Sequence, residues 1–303
     1  MGEAFPPSVI ALFGPTASGK TAVAGAIRER IPAEVVSADS AALYRGLEVL
    51  TAAPDYPARL VGVLDVEQEV SVGEFQRLAH IAIDEILAAG RTPIVVGGTG
   101  LYLRAALSEL DLPSPPAGDA RARWEQHYDS RGAEAAHALL AEWDPEAAGR
   151  VHANDRRRVV RALELAEMGE SLAGDRLWGS DTRRPTVVVG LDLADDVLEQ
   201  RIRARAAEMV ARGVVDQARA ALARPLSVSA RKVMGLHDFA ERPLDEAVEL
   251  LVRNNRRLAR YQRKWMRRMP GLISVDADRP APDIAHEILQ MASARQRLPA
   301  DRA

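Results

Sequence analysis

The run Gly14-Pro15-Thr16-Ala17-Ser18-Gly19-Lys20-Thr21 constrains this chain more than any other feature. It follows the apolar stretch Val9-Ile10-Ala11-Leu12-Phe13 and opens an alanine-rich segment that favours helix as far as Arg30. Strand, then G-x-x-x-x-G-K-[ST], then helix is the phosphate-binding P-loop. Glycines let successive backbone N–H groups turn inward around an anion, and the helix N-terminus adds its partial positive charge. In such a loop Lys20 reaches the outer phosphate and the Thr21 hydroxyl holds Mg²⁺. The bland alternative is a Gly/Ser turn between a strand and a helix, but here every position of the motif is matched. The motif implies a diphosphate or polyphosphate ligand and leaves its fate open.

Around this loop the first hundred residues read as α/β. Glu34–Ser37 is a second short strand. Ser71-Val72-Gly73-Glu74 has the pattern of a capping box, and Phe75, Leu78, Ala79, Ala82 and Ile86 follow at helical spacing until Gly90. A third strand, Pro93–Val96, runs into Gly97-Gly98-Thr99-Gly100. Strands alternating with helices predict a P-loop NTPase-like parallel sheet flanked by helices, with ligands at the carboxyl ends of the strands. Leu112-Pro113-Ser114-Pro115-Pro116 reads as a hinge, and from Asp119 to about Met168 the pattern is helical with breaks at Gly132, Pro145 and Gly149. The expected division is a catalytic core of residues 1–111 and 184–303 with a helical insertion domain over 112–183. Thr186–Leu191 returns to strand, Asp195–Arg212 and Leu244–Met269 are helices, and the tail after Pro280 ends in a polar segment expected to fray.

The net charge of −3 argues against a nucleic-acid partner, but its distribution argues for one. Between Arg253 and Arg268 there are eight basic residues and no acidic one. On a helix these eight share an arc of roughly 140°. Val248, Leu251, Leu258, Ala259, Gln262, Trp265, Met266 and Met269 take the opposite arc. Solvated helix faces usually mix signs in i,i+4 pairs, so a one-sign face points to a phosphate backbone. In the second basic stretch, Asn154 to Glu164, Arg157, Arg158 and Arg161 face away from Val159, Val160 and Leu163. Pairing of these arginines with Glu164 and Glu167 is the competing reading. The chain has no Cys, which excludes disulfide scaffolds and thiol nucleophiles, and its six His have no metal-ligand spacing. No apolar run approaches a membrane span, and Met1–Pro7 lacks the features of a signal peptide. A soluble, cytoplasmic monomer is expected.

Together these segments resemble the tRNA dimethylallyltransferases. The resemblance runs from about Val9 to Arg268 and rests on Gly14–Thr21, Ser37-Ala38-Asp39-Ser40, Val96-Gly97-Gly98-Thr99-Gly100-Leu101-Tyr102-Leu103, Asn154–Glu164, Arg205 and the arginine-rich last helix. It implies transfer of a dimethylallyl group from dimethylallyl diphosphate to N6 of adenosine 37 in tRNAs reading codons that begin with U. Diphosphate leaves, with Mg²⁺ as cofactor. Catalysis then consists of stabilising charge on the leaving group, for which P-loop N–H groups, Lys20, Arg205 and Mg²⁺ on Thr21 are suited. The resemblance places Thr16 beside the bridging diphosphate oxygen and makes Asp39 the proton acceptor. An Asp in this position is otherwise a turn or cap residue. It puts Asp39, Ser40, Ala41, Ala42 and Thr99 near the target nucleotide. On the RNA of the anticodon stem-loop it puts Arg123, Arg157, Arg158, Arg161 and the stretch Arg231-Lys232 to Gly235 and Leu236, and the one-sign charge of the Leu244–Met269 helix adds Arg256 and Arg260.

Several segments depart from the family pattern. Leu50-Thr51-Ala52-Ala53-Pro54 lacks the usual lysine, Arg59–Asp65 replaces a His-His segment, Met234-Gly235-Leu236 replaces Ile-Gly-Tyr, and Tyr261 stands where a basic residue is usual. None carries a group assigned to the diphosphate or the proton. A small-molecule P-loop kinase would use the same anion cradle with ATP. Against it, Ile94–Val96 ends in Gly97-Gly98 where a Walker-B Asp would often sit, and the basic helix would be idle. A non-enzymatic RNA-binding protein would explain that helix but leave Lys20, Thr21 and Asp39 unused.

Overall fold

The computed structural model describes residues 9–110, 112, 118–172, 179 and 181–297. By contact the chain divides into a sheet unit, residues 1–109 and 180–303, and a helical unit, residues 110–179.

In the sheet unit the apolar runs become central strands. β1 (Val9–Phe13) is buried at every position, as a parallel strand covered by helices on both faces must be. It lies between β4 (Thr92–Gly97) and β5 (Thr186–Asp192), and β2 (Ala33–Ser37) adds to the far side of β4. The six strands run in the order β3-β2-β4-β1-β5-β6, all pairs parallel, with β3 (Ala58–Arg59) and β6 (Ile273–Asp276) at the edges. Parallel neighbours need long crossovers: α1 (Lys20–Arg28) carries the one from β1 to β2 and α2 (Val72–Ala88) the one from β3 to β4. Ser71 caps α2: its hydroxyl accepts the Glu74 N–H at 3.1 Å. α3 (Gly100–Leu107) follows β4 directly. One apolar core joins Ile10, Leu12, Ile27, Ile94, Val189, Leu198 and Leu251, each fully buried side chain contributing about 1.5–3 kcal/mol.

The helical unit holds α4 (Ala120–Arg131), α5 (Ala133–Trp143), α6 (Pro145–Arg150) and α7 (Arg156–Glu167), so breaks fall at Gly132 and Pro145, whereas Gly149, expected as a third, lies within α6. Trp124, Leu140, Val159 and Leu163 form its own core. Asp144 and Asp155 cap α6 and α7 by accepting the N–H of Ala147 and Arg158.

The two points where the chain leaves and re-enters the sheet unit are tied together. The Ser108 hydroxyl donates to the Asp181 carbonyl and the Arg183 N–H to the Leu107 carbonyl, both at 2.7 Å. Arg183 and Arg184 both pair with Asp84 on α2, and Arg183 reaches Glu109 at 3.1 Å. Residues 181–183, counted with the insertion from sequence, are therefore held by the sheet unit. The hinge expected at 112–116 lies outside the described residues apart from Leu112.

Five helices complete the sheet unit: α8 (Asp195–Ala211), α9 (Val214–Leu222), α10 (Leu236–Glu241), α11 (Leu244–Met266) and α12 (Ala281–Arg297). The tail is not frayed over its described part, because α12 buries Ile284, Ala285, Ile288 and Ala292 and packs on α1. The polar end from 298 lies outside the described residues. No described helix is long and apolar enough to cross a membrane.

Candidate active site

Parallel register brings three strand ends side by side: Phe13 beside Gly97, and Ser37 beside Val96. The P-loop, the turn after β2 and the Gly97-Gly98 turn therefore share one edge of the sheet, where ligands of such sheets bind. A cavity of about 660 Å³ opens there, lined among others by Thr16, Lys20, Thr21, Asp39, Arg205 and Gln262. All of it belongs to the sheet unit.

The P-loop is shaped before any ligand arrives. Ala17 sits at φ +62°, in the left-handed region that costs a residue with a Cβ about 1 kcal/mol or more. α1 then begins with no side-chain cap and no acidic residue in its first turn, leaving its first N–H groups to an anion. The Ser18 hydroxyl is buried with no hydrogen-bond partner among the described residues. Lys20 folds back, donating to the Gly14 and Pro15 carbonyls at 2.9 and 2.6 Å. Its ammonium is pulled down to about 7, first by burial and then by the nearby Arg205, with Asp39 opposing. Burial likewise lowers the Arg205 guanidinium, again against Asp39. Lys20 and Arg205 face a cavity that Arg201, Arg212, Asp39, Asp55 and Glu208 also line, and neither makes an ion pair among the described residues; buried cations without a paired carboxylate suit an anion.

Arg205, Thr16 and Gln262 form a connected set. Arg205 donates to the Thr16 hydroxyl at 3.3 Å and to the Thr51 carbonyl at 3.0 Å. The Thr16 N–H donates to Gln262 Oε1 at 2.8 Å. Gln262, which a helical projection puts on the apolar arc of α11, is 5% exposed and lies at the cavity. A lone amide on an otherwise apolar face was the available signal. Tyr56, also unpredicted, donates its hydroxyl to the Thr21 carbonyl at 2.7 Å, with the Arg28 guanidinium 4.5 Å from its ring centre. It steadies the first turn of α1.

Asp39 closes a turn and faces the cavity. One carboxylate oxygen accepts the Ala41 N–H at 3.0 Å, closing a turn, while the residue is exposed and lines the cavity. Ser40, Ala41 and Ala42 follow in that turn. Thr99 precedes α3 without a side-chain capping bond. The glycines beside it permit close approach. A Cβ on Gly98 would lie 2.3 Å from Gln262 Nε2, and one on Gly100 would lie 1.9 Å from the Trp265 ring. Thr21 is exposed at the cavity, and among the described residues no three His, Cys, Asp or Glu side chains gather to hold a metal. A single hydroxyl completed by diphosphate oxygens and water suits Mg²⁺, which dehydrates reluctantly.

The basic face of α11 is smaller than the arc implies. Arg263 is 16% exposed in its side chain and turns inward, bonded to Asp192 at 2.8 Å, to Asp195 and to the Leu193 carbonyl. It does not belong to an RNA face, because its charge is already neutralised. Arg256 pairs with Glu199 at 3.1 Å. Arg253, Arg257, Arg260, Lys264 and Arg267 are exposed and make no ion pair among the described residues. Arg231 and Lys232 are exposed on a short 3₁₀ turn, and Gly235 precedes α10. In the helical unit Arg123 pairs with Glu167 at 2.9 Å and Asp119 at 3.1 Å, and Arg161 with the fully buried Glu164 at 2.8 Å. Arg157 and Arg158 are exposed.

Comparison with known proteins gives the same direction. The profile of the IPP transferase family matches residues 42–269. A tRNA dimethylallyltransferase of Streptomyces coelicolor is 42% identical over 277 residues, covering 87% of this chain and 88% of the relative. One of Kineococcus radiotolerans is 38% identical, covering 96% and 98%. The crystal structure of a full-length tRNA isopentenylpyrophosphate transferase from Bacillus halodurans superposes with a TM-score of 0.65 at 32% identity, over 96% of this chain and 99% of that one. A eukaryotic dimethylallyltransferase acting on tRNA shares the fold at a TM-score of 0.79 and 22% identity, over 98% of this chain and 82% of that one. An anion cradle at the switch of a parallel sheet is common to many proteins, but its combination with this long match over most of the sequence is not, and the chain belongs to the IPP transferase family.

Proposed function

We propose that the chain transfers a dimethylallyl group from dimethylallyl diphosphate to N6 of adenosine 37 in the anticodon stem-loop of tRNAs that read codons beginning with U. The observation that carries this reading is one cavity faced by Lys20, Arg205, the open N-terminus of α1 and Asp39. In the reaction the bond between C1 of the prenyl group and the diphosphate oxygen breaks, and its electron pair leaves with diphosphate. The exocyclic amine forms the new C–N bond and gives up a proton to Asp39.

Each residue has a part in that sequence. P-loop N–H groups and the Ser18 hydroxyl bind the diphosphate, and Lys20 swings from the Gly14 and Pro15 carbonyls onto it. Arg205 and the Thr16 hydroxyl meet the oxygen on which charge develops; preorganised donors of this kind act most strongly where water is excluded. Asp39, held in its turn by Ala41, presents its second oxygen to the amine. Mg²⁺, held by the Thr21 hydroxyl, would neutralise charge on the departing diphosphate. Arg253, Arg257, Arg260, Lys264 and Arg267 attract the phosphate backbone, as do Arg157, Arg158, Arg231 and Lys232. The chain is read as a monomer that acts in the cytoplasm on tRNA.

The test is to incubate the protein with Mg²⁺, dimethylallyl diphosphate and an anticodon stem-loop carrying adenosines at the target and both neighbours and weigh the RNA, and in a parallel reaction to supply labelled ATP with a metabolite extract and follow the label. A gain of C5H8 is expected. An unchanged RNA mass, with the terminal phosphate of ATP appearing on a small metabolite, would install the kinase in its place.

A further inference from the structure

We propose that Gln262 is a positioning residue for the leaving group: from the arginine-bearing helix it fixes the backbone of Thr16, and so the Thr16–Arg205 pair, at the diphosphate. The inference rests on the functional reading above and adds a residue to it.

Thr16 is held at two points by residues far away in sequence. Arg205 takes its hydroxyl, and Gln262 takes its N–H at 2.8 Å across 246 positions. That N–H is the donor a P-loop would otherwise have to aim without help. The acceptor it needs decides which end of the carboxamide faces which loop. Oxygen meets Thr16, and Nε2 lies against Gly98, so close that a Cβ there would come within 2.3 Å. The carboxamide therefore fills the gap between the P-loop and the Gly97-Gly98 turn.

The helix that delivers it is fixed at the same level. Ala259 and Met266 are buried on either side, and the next residue, Arg263, is bonded to Asp192, Asp195 and the Leu193 carbonyl. Arg263 thus anchors α11 to the strand end beside β1, and Gln262 reads that anchored position into the P-loop. A full glutamine side chain is required for the reach, and a hydrogen-bond acceptor for the contact. Since misplacement of a reacting group by about 1 Å can cost about 10²-fold in rate, loss of this contact should appear in the chemical step.

Two variants attack the contact from opposite sides. Gln262→Met keeps the volume and removes the acceptor; Gly98→Ala keeps the acceptor and displaces it. For both, kcat is expected to fall by about 10–100-fold with KM for tRNA unchanged within about twofold. Affinity for inorganic pyrophosphate, measured by calorimetry without any transfer, is expected to weaken about tenfold. A merely structural role would lower the melting temperature and leave kcat of the folded protein intact. That pattern, or a loss confined to KM for tRNA, overturns the proposal. If Gln262→Met does not fold, Gly98→Ala decides. If the parent protein transfers no prenyl group, the functional reading fails, and pyrophosphate affinity of the variants still judges Gln262 by itself.

Discussion

Arg205 on α8 donates to the hydroxyl of Thr16 at 3.3 Å although 189 positions separate them. Its other terminal nitrogen donates to the Thr51 carbonyl at 3.0 Å, so one planar fork serves two loops. Lysine carries the same charge but cannot reproduce a fork. Arg205→Lys is expected to slow transfer about 10²-fold or more. The tRNA affinity should not change. Single-turnover transfer and filter binding measure the two quantities. An unimpaired rate would take Arg205 out of leaving-group stabilisation.

The two roles of Asp39 can be separated. Asp39→Asn keeps an oxygen for the Ala41 N–H but removes the proton acceptor, whereas Asp39→Ala removes both. Asn is therefore expected to match the parent in melting temperature while losing about 10²–10⁴-fold in rate. Ala should lose the rate and some stability. If Asn transfers as fast as the parent, Asp39 is a turn residue and nothing more.

With Lys20 drawn down to about 7 by burial, the lysine is expected to be largely neutral at pH 8. Bound diphosphate favours the ammonium, so binding takes up a proton. Affinity should then fall as pH rises above about 7, and show no further Lys20 contribution below it, where the lysine is already charged. Calorimetry of pyrophosphate binding at pH 8 in two buffers of different ionisation enthalpy should reveal uptake approaching one proton (~1). The uptake should vanish in Lys20→Met. Equal heats in the two buffers would show that the lysine is charged before the ligand arrives.

The arginines of α11 divide into two groups with different phenotypes. Neutralising Arg257 or Arg260, both exposed and without an ion pair among the described residues, should weaken tRNA binding and reduce its salt slope by about 1 each. Arg263→Ala should instead lower stability, by leaving Asp192 and the Leu193 carbonyl without their donor. Binding titrations at several salt concentrations, beside thermal melts, assign each arginine to its group.

What could be read from sequence was what is local. β1, β4 and the first turn of α2 announce themselves through continuous apolar runs and a capping box, and the P-loop through consecutive residues. Arg263 is indistinguishable from its neighbours by sequence, because the acids that claim it lie 71 and 68 positions away. Gln262 fell with the apolar residues because a helical projection reports direction, not what waits there. β3 has two residues and β6 four, too few for periodicity to register. In α12 the spacing of Ile284, Ile288 and Ala292 was present but hidden by the polar end that follows.

The stitched crossing at Leu107-Ser108 and Asp181–Arg183 bears on how such a fold diversifies. An excursion of 70 residues starts and finishes at one fastened spot. Doubling the length of a flexible loop closed at its ends adds only about 0.6 kcal/mol of entropy. The parallel sheet thus behaves as a chassis with a socket: a graft of another size can be accepted there without shifting the registration of β4 or β5. The insert can change length while the geometry of the cradle stays still.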